Sequence, residues 1–590
     1  MKWGTLRSAA VLGLVVATVG GTTAGPAGAA ASTGHASTPL PTAAPAGASG
    51  PHVLTVPSEA EFEAAVAAGD PLALSIFGVG GLDARGPASA RAAAAALASS
   101  GCGAAGAAPV PDGKPIVVSL PPARAFTVGK ISARTWRKPP VSDPTWQLRF
   151  LGLTWMMPLA QRAATDGQNR SLNALVDQAL AFHRQNPDPG KPRYGWDEGT
   201  AMRRLSTLNC LYTLTRSRRL VPAMTSNAAV QFGSRYYGPP HRMVHNHGLM
   251  ANLVVLRAAR LLGNARWRRV ATARLVAEAP KAWSRAGTTW EQSTMYHVEN
   301  MQLWTKAAQA LEAGSPGSAG ARAIRRLVAR ADQVKAWMTE PDGGIAILGD
   351  ASAMPGTSRS RWTSRTWRDD ATGFGFGRWS WRDPATAYYS VRYGPPTTAH
   401  GHQDRGGVTW SDLGTRVLVT AGLFTYDPRN RYLAYQDGPV SNNVAFPARP
   451  ALDARASVQL ARTKFQARSH QWVITDRLFR VAHQRGIVVQ GPQHRLTVAD
   501  SFAGRGTYLQ KFHLAPGWRF SALTDRGRTA RFTGPEGRRL TMTTTGSIRR
   551  ARGATSPVAG WHFPQFGQRV ATEELTVLAG PRVSTTFTLS

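Results

Sequence analysis

Three separated stretches of this chain carry side chains suited to acid–base chemistry at a carbon atom. They are Asn246-His247, Glu291-Gln-Ser-Thr-Met-Tyr296-His297 and His400-Gly-His402-Gln-Asp404. A proton on a carbon beside a carboxylate, as in a uronic acid, is hard to remove. Removing it and breaking the neighbouring glycosidic bond takes a base, donors that stabilise an enolate-like intermediate, and an acid for the leaving oxygen. Tyr and His can be base or acid, and Asn and His can be the donors.

Each stretch also has a plainer reading. Asn246 opens a predicted helix and suits an N-cap, with His241 and His245 nearby. Tyr296 and His297 stand at the start of another helix, where packing and capping are ordinary roles. His400, His402 and Asp404 alternate, so an extended backbone would put all three on one face. That face suits a metal, a substrate-touching His with supports, or a solvated polar loop. In Asp342-Gly-Gly-Ile-Ala-Ile-Leu-Gly349-Asp350, the carboxylate of Asp350 could orient a His, bind sugar hydroxyls or close a turn.

Two kinds of element must position these residues. From about Trp146, large apolar residues recur at three- and four-residue intervals, and similar runs follow near 170–184, 199–215, 246–263, 266–283, 297–312 and 320–338. Their connections carry Pro, Gly or Asn, so the spacing predicts paired antiparallel helices in a ring-like or stacked α/α array. After about Thr372 the period shifts towards two. Tyr388-Tyr-Ser-Val-Arg, Arg416-Val-Leu-Val-Thr, Gln471-Trp-Val-Ile-Thr, Gly486-Ile-Val-Val-Gln, Arg539-Leu-Thr-Met-Thr and Ser584-Thr-Thr-Phe-Thr-Leu read as strands of an antiparallel sandwich.

The N-terminal part reads differently. Residues 1–31 have a basic start (Lys2, Arg7), an apolar core and a small-residue cleavage site at Ala27-Gly-Ala29, the pattern of a secretory signal. The apolar core is short of the ~20 residues that span a bilayer, so no stable membrane insertion is expected. Residues 32–52 read as a flexible linker, and residues 53–136 as an N-terminal region of uncertain order. Secretion is the expected localisation.

Lys plus Arg number 70 against 34 Asp plus Glu. This excess favours a polyanionic partner, although an Arg- and Ala-rich composition throughout accounts for part of it. Nucleic acid is not expected, because no RNA-binding signature, zinc-finger spacing or basic zipper occurs. Cys102 and Cys210 could form one disulfide, though spacing alone does not pair them. The sequence sets no oligomeric state.

At these residues the chain resembles the heparinase II/III-like polysaccharide lyases. The matching pieces are Trp196-Asp-Glu-Gly-Thr-Ala-Met-Arg203-Arg204, Asn246-His247-Gly-Leu, Glu291-Gln-Ser-x-x-Tyr296-His297, and Asp342-Gly-Gly through Gly349-Asp350. His400-Gly-His402-x-Asp404, Val419-Thr-Ala-Gly422, Tyr426 and Phe512-His513-Leu514 extend the match through the β-rich part. The resemblance implies an α+β multidomain fold: an incomplete (α/α) toroid over residues 137–370, then an antiparallel β-sandwich over 371–590. Substrate would lie in the groove between them. It implies Asn246, Tyr296 and His400 as catalytic candidates, with His247 and His297 as close associates. Trp196, Arg203, Arg204, Glu291, Asp350, His402 and Asp404 are the candidate substrate-binding residues.

Family members with a β-domain metal use the second His of the His-x-His pair, an Asp and a later His. Here those positions hold His402, Thr420 and the Asn442-Asn443 region, so no metal is expected, and no cofactor is called for. The resulting expectation is a secreted lyase that cleaves an anionic, uronate-containing polysaccharide by β-elimination. Heparan sulfate, hyaluronan, alginate and bacterial exopolysaccharides are all candidates. Two other readings stand beside it: a glycoside hydrolase on an α/α toroid, which needs a carboxylate pair, and a non-catalytic polyanion-binding protein.

Overall fold

The structure, a computed structural model, describes Cys102 and residues 112–120, 124–187, 195–233 and 246–590. The signal and linker segments, most of residues 53–111, and His241 and His245 lie outside the described residues.

Ten α-helices are described before the large sheets begin. They are α1 (Ala133–Arg137), α2 (Pro144–Leu151), α3 (Met156–Thr165), α4 (Asn169–Gln185) and α5 (Glu198–Thr215), then α6 (Val221–Ala229), α7 (Asn246–Leu261), α8 (Ala265–Glu278), α9 (Thr294–Gly314) and α10 (Ala319–Met338). Their starts follow local capping chemistry. Asp143 accepts from the Trp146 N–H with Pro144 in the first turn, Asp197 accepts from Thr200 N–H, and Ser293 accepts from Tyr296 N–H. The apolar run from Trp146 is two helices rather than one. Leu153 takes a left-handed φ of 56°, and Gly152 sits so close to its own helix that a Cβ there would meet Leu148 O at 2.5 Å.

Helices α5, α7 and α9 neighbour one another, while α6, α8 and α10 each pack back against the helix before them. This in-and-out alternation is the (α/α) toroid. The inner helices therefore run in one direction, and their N-termini gather at one rim. Leu205, Leu208, Leu249, Val255, Leu256, Trp304 and Leu311 fill the space between them. A disulfide joins Cys102 to Cys210, tying the N-terminal segment to α5.

Beyond α10 come a five-stranded antiparallel sheet (Thr366–Asp369 to Thr415–Leu418), an eight-stranded sheet and a four-stranded sheet. The strand Tyr388–Arg392 shows how they stack. Tyr388 faces the helices and packs with Trp337, Met338, Phe374 and Phe376, whereas Tyr389 and Val391 face the eight-stranded sheet beside Trp472, Ile474 and Val498. Period-two alternation thus buries both faces of the five-stranded sheet. The helical body and the sandwich are joined by this shared apolar layer. Among the described residues no helix is long and apolar enough to cross a membrane.

Candidate active site

The gathered N-termini of α5, α7 and α9 meet two loops at the rim, one following α10 and carrying Asp350, the other in the β-domain and carrying His400. Tyr296 lies in the first turn of α9. The loop before α9 is hydrogen-bonded edge to edge with the other two: His400 N–H donates to Glu291 O at 3.2 Å, Asp350 N–H to His400 O at 2.8 Å, and Thr294 N–H to Leu348 O at 3.1 Å. Ser293 Oγ adds a bond to Asp350 O at 2.6 Å. Gly349 is required here, because a Cβ would meet both Gln292 O and His400 O at 2.6 Å. Gln292 and Ala399 hold left-handed φ values of 55° and 40° beside Glu291 and His400. Strained backbone of this kind needs surrounding structure to hold it.

Asp350 is the hub. Its Oδ2 accepts from His400 Nδ1 at 3.0 Å and from Tyr426 Oη at 3.1 Å, and its Oδ1 accepts from His402 Nε2 at 2.9 Å. Since the Tyr426 proton points to Asp350, Tyr296 Oη donates to Tyr426 Oη at 3.0 Å. Complete burial would raise the Asp350 carboxyl, but hydrogen bonds from His400 and His402 overcome this and hold it well below the carboxylate range. His402, also buried, is held above its ordinary value by Asp350. The Tyr296 and His400 rings lie flat on one another, with centroids 3.4 Å apart and planes 3° apart. Burial, with Asp350 adding, pushes the Tyr296 phenol well above its ordinary 10.0.

Asn246 begins α7, and its backbone N–H donates to Glu291 Oε1 at 3.0 Å. Its side-chain Oδ1 is buried with no hydrogen-bond partner among the described residues. His247 Nδ1 lies 3.6 Å from Glu198 Oε1 at the start of α5. Arg203 reaches the same rim. Burial lowers its guanidinium value, while Asp197, Tyr296 and Glu299 act in the opposite sense.

Other predicted site residues are built into the fold. Trp196 is buried and donates from Nε1 to Asn186 O at 2.9 Å. Arg204 is 1% exposed; it is sandwiched by the Phe182 and Trp196 rings at 4.4 Å and bonded to Asn227, Leu151 O and Gly195 O. Neither faces the groove. His297 is fully buried on Ala331 O at 2.9 Å, and burial lowers it to about 4, so it is a neutral packing residue. Asp404 pairs with buried Arg392, which corrects the one-face expectation: His400 and His402 turn to Asp350, and Asp404 does not. Glu291 is buried too. It accepts from Asn246 N–H and from Asn300 Nδ2 at 2.8 Å, and its Oε2 lies 3.3 Å from His400 Nε2.

Sequence reasoning gave no role to Tyr426, Glu299 or Asn300. The latter two stand three and four positions after Tyr296, the spacing that shares a helix face. Tyr426 enters the sequence reading only within the β-domain match and without a role, because it reaches the site from a distant segment.

The residues present do not fit the β-domain metal. Thr420 Oγ1 donates to Ile347 O at 2.6 Å, Asn442 donates to Gly438 O, and Asn443 donates to Val408 O and Val419 O. Asp350, His402 and Asp437 do bring ligand atoms within 4.8 Å of one another. However, His402 Nε2 lies 2.9 Å and 3.6 Å from the two carboxylates, the arrangement of a shared imidazole proton.

Two family models cover this chain: the heparinase II/III N-terminus over residues 125–368 and the heparinase II/III-like C-terminal domain over 369–589. The chain belongs to the heparinase II/III-like family of polysaccharide lyases. Their junction falls where the helical body gives way to the five-stranded sheet. Among solved structures, the chain is similar to heparinase III (13% identity, 85% of this chain and 89% of that one, TM-score 0.66). It is also similar to a mutant of the heparan sulfate lyase HepC from Pedobacter heparinus (14%, 90% and 90%, 0.58). A third is the chondroitin AC lyase of Streptomyces coelicolor A3 in complex with chondroitin sulphate (12%, 89% and 82%, 0.51). At such identities these likenesses concern the fold. No curated protein matches the sequence.

Proposed function

We propose that this lyase is secreted and cleaves a uronate-containing anionic polysaccharide by β-elimination. The observation that carries the proposal is the hydrogen-bonded path His400–Asp350–Tyr426–Tyr296 at the rim where the helix N-termini converge. A phenol raised well above 10.0 stays protonated at neutral pH and suits a general acid for the leaving glycosidic oxygen. Asp350 on Nδ1 orients the His400 ring and leaves Nε2 as the basic nitrogen, beside Glu291, which stabilises the imidazolium that forms.

His400 takes the proton from the carbon next to the uronate carboxylate. Its electron pair forms the new double bond, the glycosidic C–O bond breaks, and Tyr296 protonates the departing oxygen. After the product leaves, His400 gives its Nε2 proton to solvent and Tyr296 regains one from solvent, which restores both groups. The Asn246 carboxamide, with His247 and Arg203, neutralises the charge that builds on the carboxylate. Helix N-termini favour such an anion, and the net charge of +36 favours the polymer as a whole.

A hydrolase would need two carboxylates facing the bond. Glu291, Asp350 and Asp404 are 4%, 0% and 1% exposed and already bonded within the protein, which weighs against that reading. The test is ultraviolet absorbance of the unsaturated uronate with purified protein and a panel of uronate polymers, with Tyr296→Phe in parallel. A rise that the variant abolishes supports the lyase. New reducing ends without absorbance would indicate hydrolysis, and binding without either product a carbohydrate-binding protein. For secretion, the test is recovery of processed protein from the medium of an expressing culture.

A further inference from the structure

Resting on the anionic-polysaccharide substrate proposed above, we infer that the outer face of the eight-stranded sheet is a second binding surface for that polymer. It is separate from the rim and carries no catalytic group.

The sheet has one dry face and one wet face. Four neighbouring strands in its interior are Thr529–Thr533, Arg539–Thr544, Arg582–Leu589 and Arg495–Phe502. Their Phe532, Met542, Phe587 and Val498 side chains fill the sandwich core. The alternate positions point the other way, away from the five-stranded sheet and the helices behind it. There these strands expose Arg531, Arg539, Arg582 and Arg495, and the two edge strands of the sheet add Arg519, Arg462 and Lys464.

The register sets these groups in rows. Arg531, Thr541, Thr588 and Arg495 stand directly opposite one another across the four strands. The two arginines are thus three strand spacings apart, roughly 14 Å. Arg539 lies one outward position along from Thr541 and is level with Thr533 and Arg519. That makes it a diagonal neighbour of Arg531, roughly 7–8 Å away. Small hydroxyl side chains lie between the charges; Thr497 and Thr586 are hydrogen-bonded Oγ1 to Oγ1 at 3.0 Å.

The charge on this face is uncompensated. The eight strands contain two carboxylates, Asp476 and Asp500, and both turn inward to His483 and Arg485. Asp525 and Glu536 lie in hairpin turns beyond the strand ends. None of the seven cations has an ion pair among the described residues. Elsewhere, Arg219, Arg325 and Arg429 pair with Asp177, Glu312 and Asp427. Cations on edge strands guard against strand pairing, which accounts for Arg462, Lys464 and Arg519. It does not account for Arg495, Arg531, Arg539 and Arg582, whose strands already have a partner on each side. Their mutual repulsion is relieved when an anion lies along the rows. A uronate polymer, with carboxylates spaced along a chain of hydroxyls, complements guanidinium groups spaced among threonines. Held here, a long polymer stays near the rim, which lowers KM without altering the chemical step.

The experiment compares the wild-type full chain with the combined variant Arg495→Gln, Arg531→Gln, Arg539→Gln and Arg582→Gln, and with Arg→Lys at the same four positions. Affinity for heparosan, hyaluronan, polymannuronate and neutral dextran is measured by titration calorimetry, with Tyr296→Phe added to each chain to prevent turnover. The expected result is that the Gln variant binds at least one of the three polyanions ~10-fold or more weakly than wild type, while the Lys variant keeps most of the affinity. Its melting temperature should equal or exceed that of wild type. With Tyr296 restored, KM for the polymer should rise by a similar factor, whereas kcat, and KM for a tetrasaccharide of the same polymer, should not change. Equal affinity of wild type and the Gln variant for every polyanion, or wild-type binding of dextran as tight as of the polyanions, would overturn the inference. Binding lost in the Gln variant without absorbance from any polymer would support this surface and count against the lyase reading. Turnover with the same affinity and KM in both chains would do the reverse.

Discussion

Asp350 and His400, 50 positions apart in sequence, meet as a buried carboxylate–imidazole pair with Oδ2 and Nδ1 3.0 Å apart. The same carboxylate bonds His402 and Tyr426. Asp350→Asn keeps the volume but cannot hold the Nδ1–H tautomer of His400. We expect kcat to fall by ~10²–10⁴-fold with KM little changed. Steady-state kinetics on the best polymer, with a melting curve to check folding, would decide this. A KM change with normal kcat would move Asp350 to substrate binding.

Arg203 and Arg204 are neighbours with opposite fates. Arg204→Ala strands three buried acceptors and removes both ring contacts. At about 1–3 kcal/mol for each unsatisfied group, it should destabilise the helical body by several kcal/mol. Arg203→Ala should leave the melting temperature nearly unchanged and raise KM. Thermal melts and kinetics of the two variants side by side test the assignment.

The raised Tyr296 phenol makes a prediction about alkaline pH. If Tyr296 is the proton donor, the alkaline loss of kcat lies above its ordinary value of 10.0 rather than below it. A pH–rate profile taken to the alkaline limit of protein stability checks this. An alkaline limb of kcat below 10.0 in the wild type would contradict it.

Away from the site, His483 is clamped between Asp476 and Asp500, with Nδ1 and Nε2 at 2.8 Å and 2.7 Å. Burial opposes the charged ring, but the two carboxylates prevail and raise it above 6.5. Its contribution to stability is therefore fully present below 6.5 and is lost as pH rises through the raised folded value. The melting-temperature gap between wild type and His483→Gln should be widest below 6.5 and narrow as pH rises through the raised folded value. A gap that widens with pH would reverse the sign.

Much of the fold was legible because its signals are local. Periodicity at 170–184 and 320–338 corresponds to α4 and α10, and the alternation from Tyr388 to a strand, since side-chain spacing along one element is set by backbone geometry alone. The types of residue at the site were legible too: Asn246, Tyr296, Asp350 and His400 converge at one rim. What each one does there was not. Arg203 and Arg204, or Tyr296 and His297, are adjacent in sequence but point about 100° apart around a helix, so one meets the rim and the other the core. Which is which depends on where neighbouring helices and sheets lie. The same holds for Tyr426, for the pairing of Cys102 with Cys210, and for the separate fates of His400 and Asp404. Sequence determined the elements and the chemical repertoire. Only the tertiary structure decided which side chains share a carboxylate, because that is set by contacts between distant segments that no local pattern encodes.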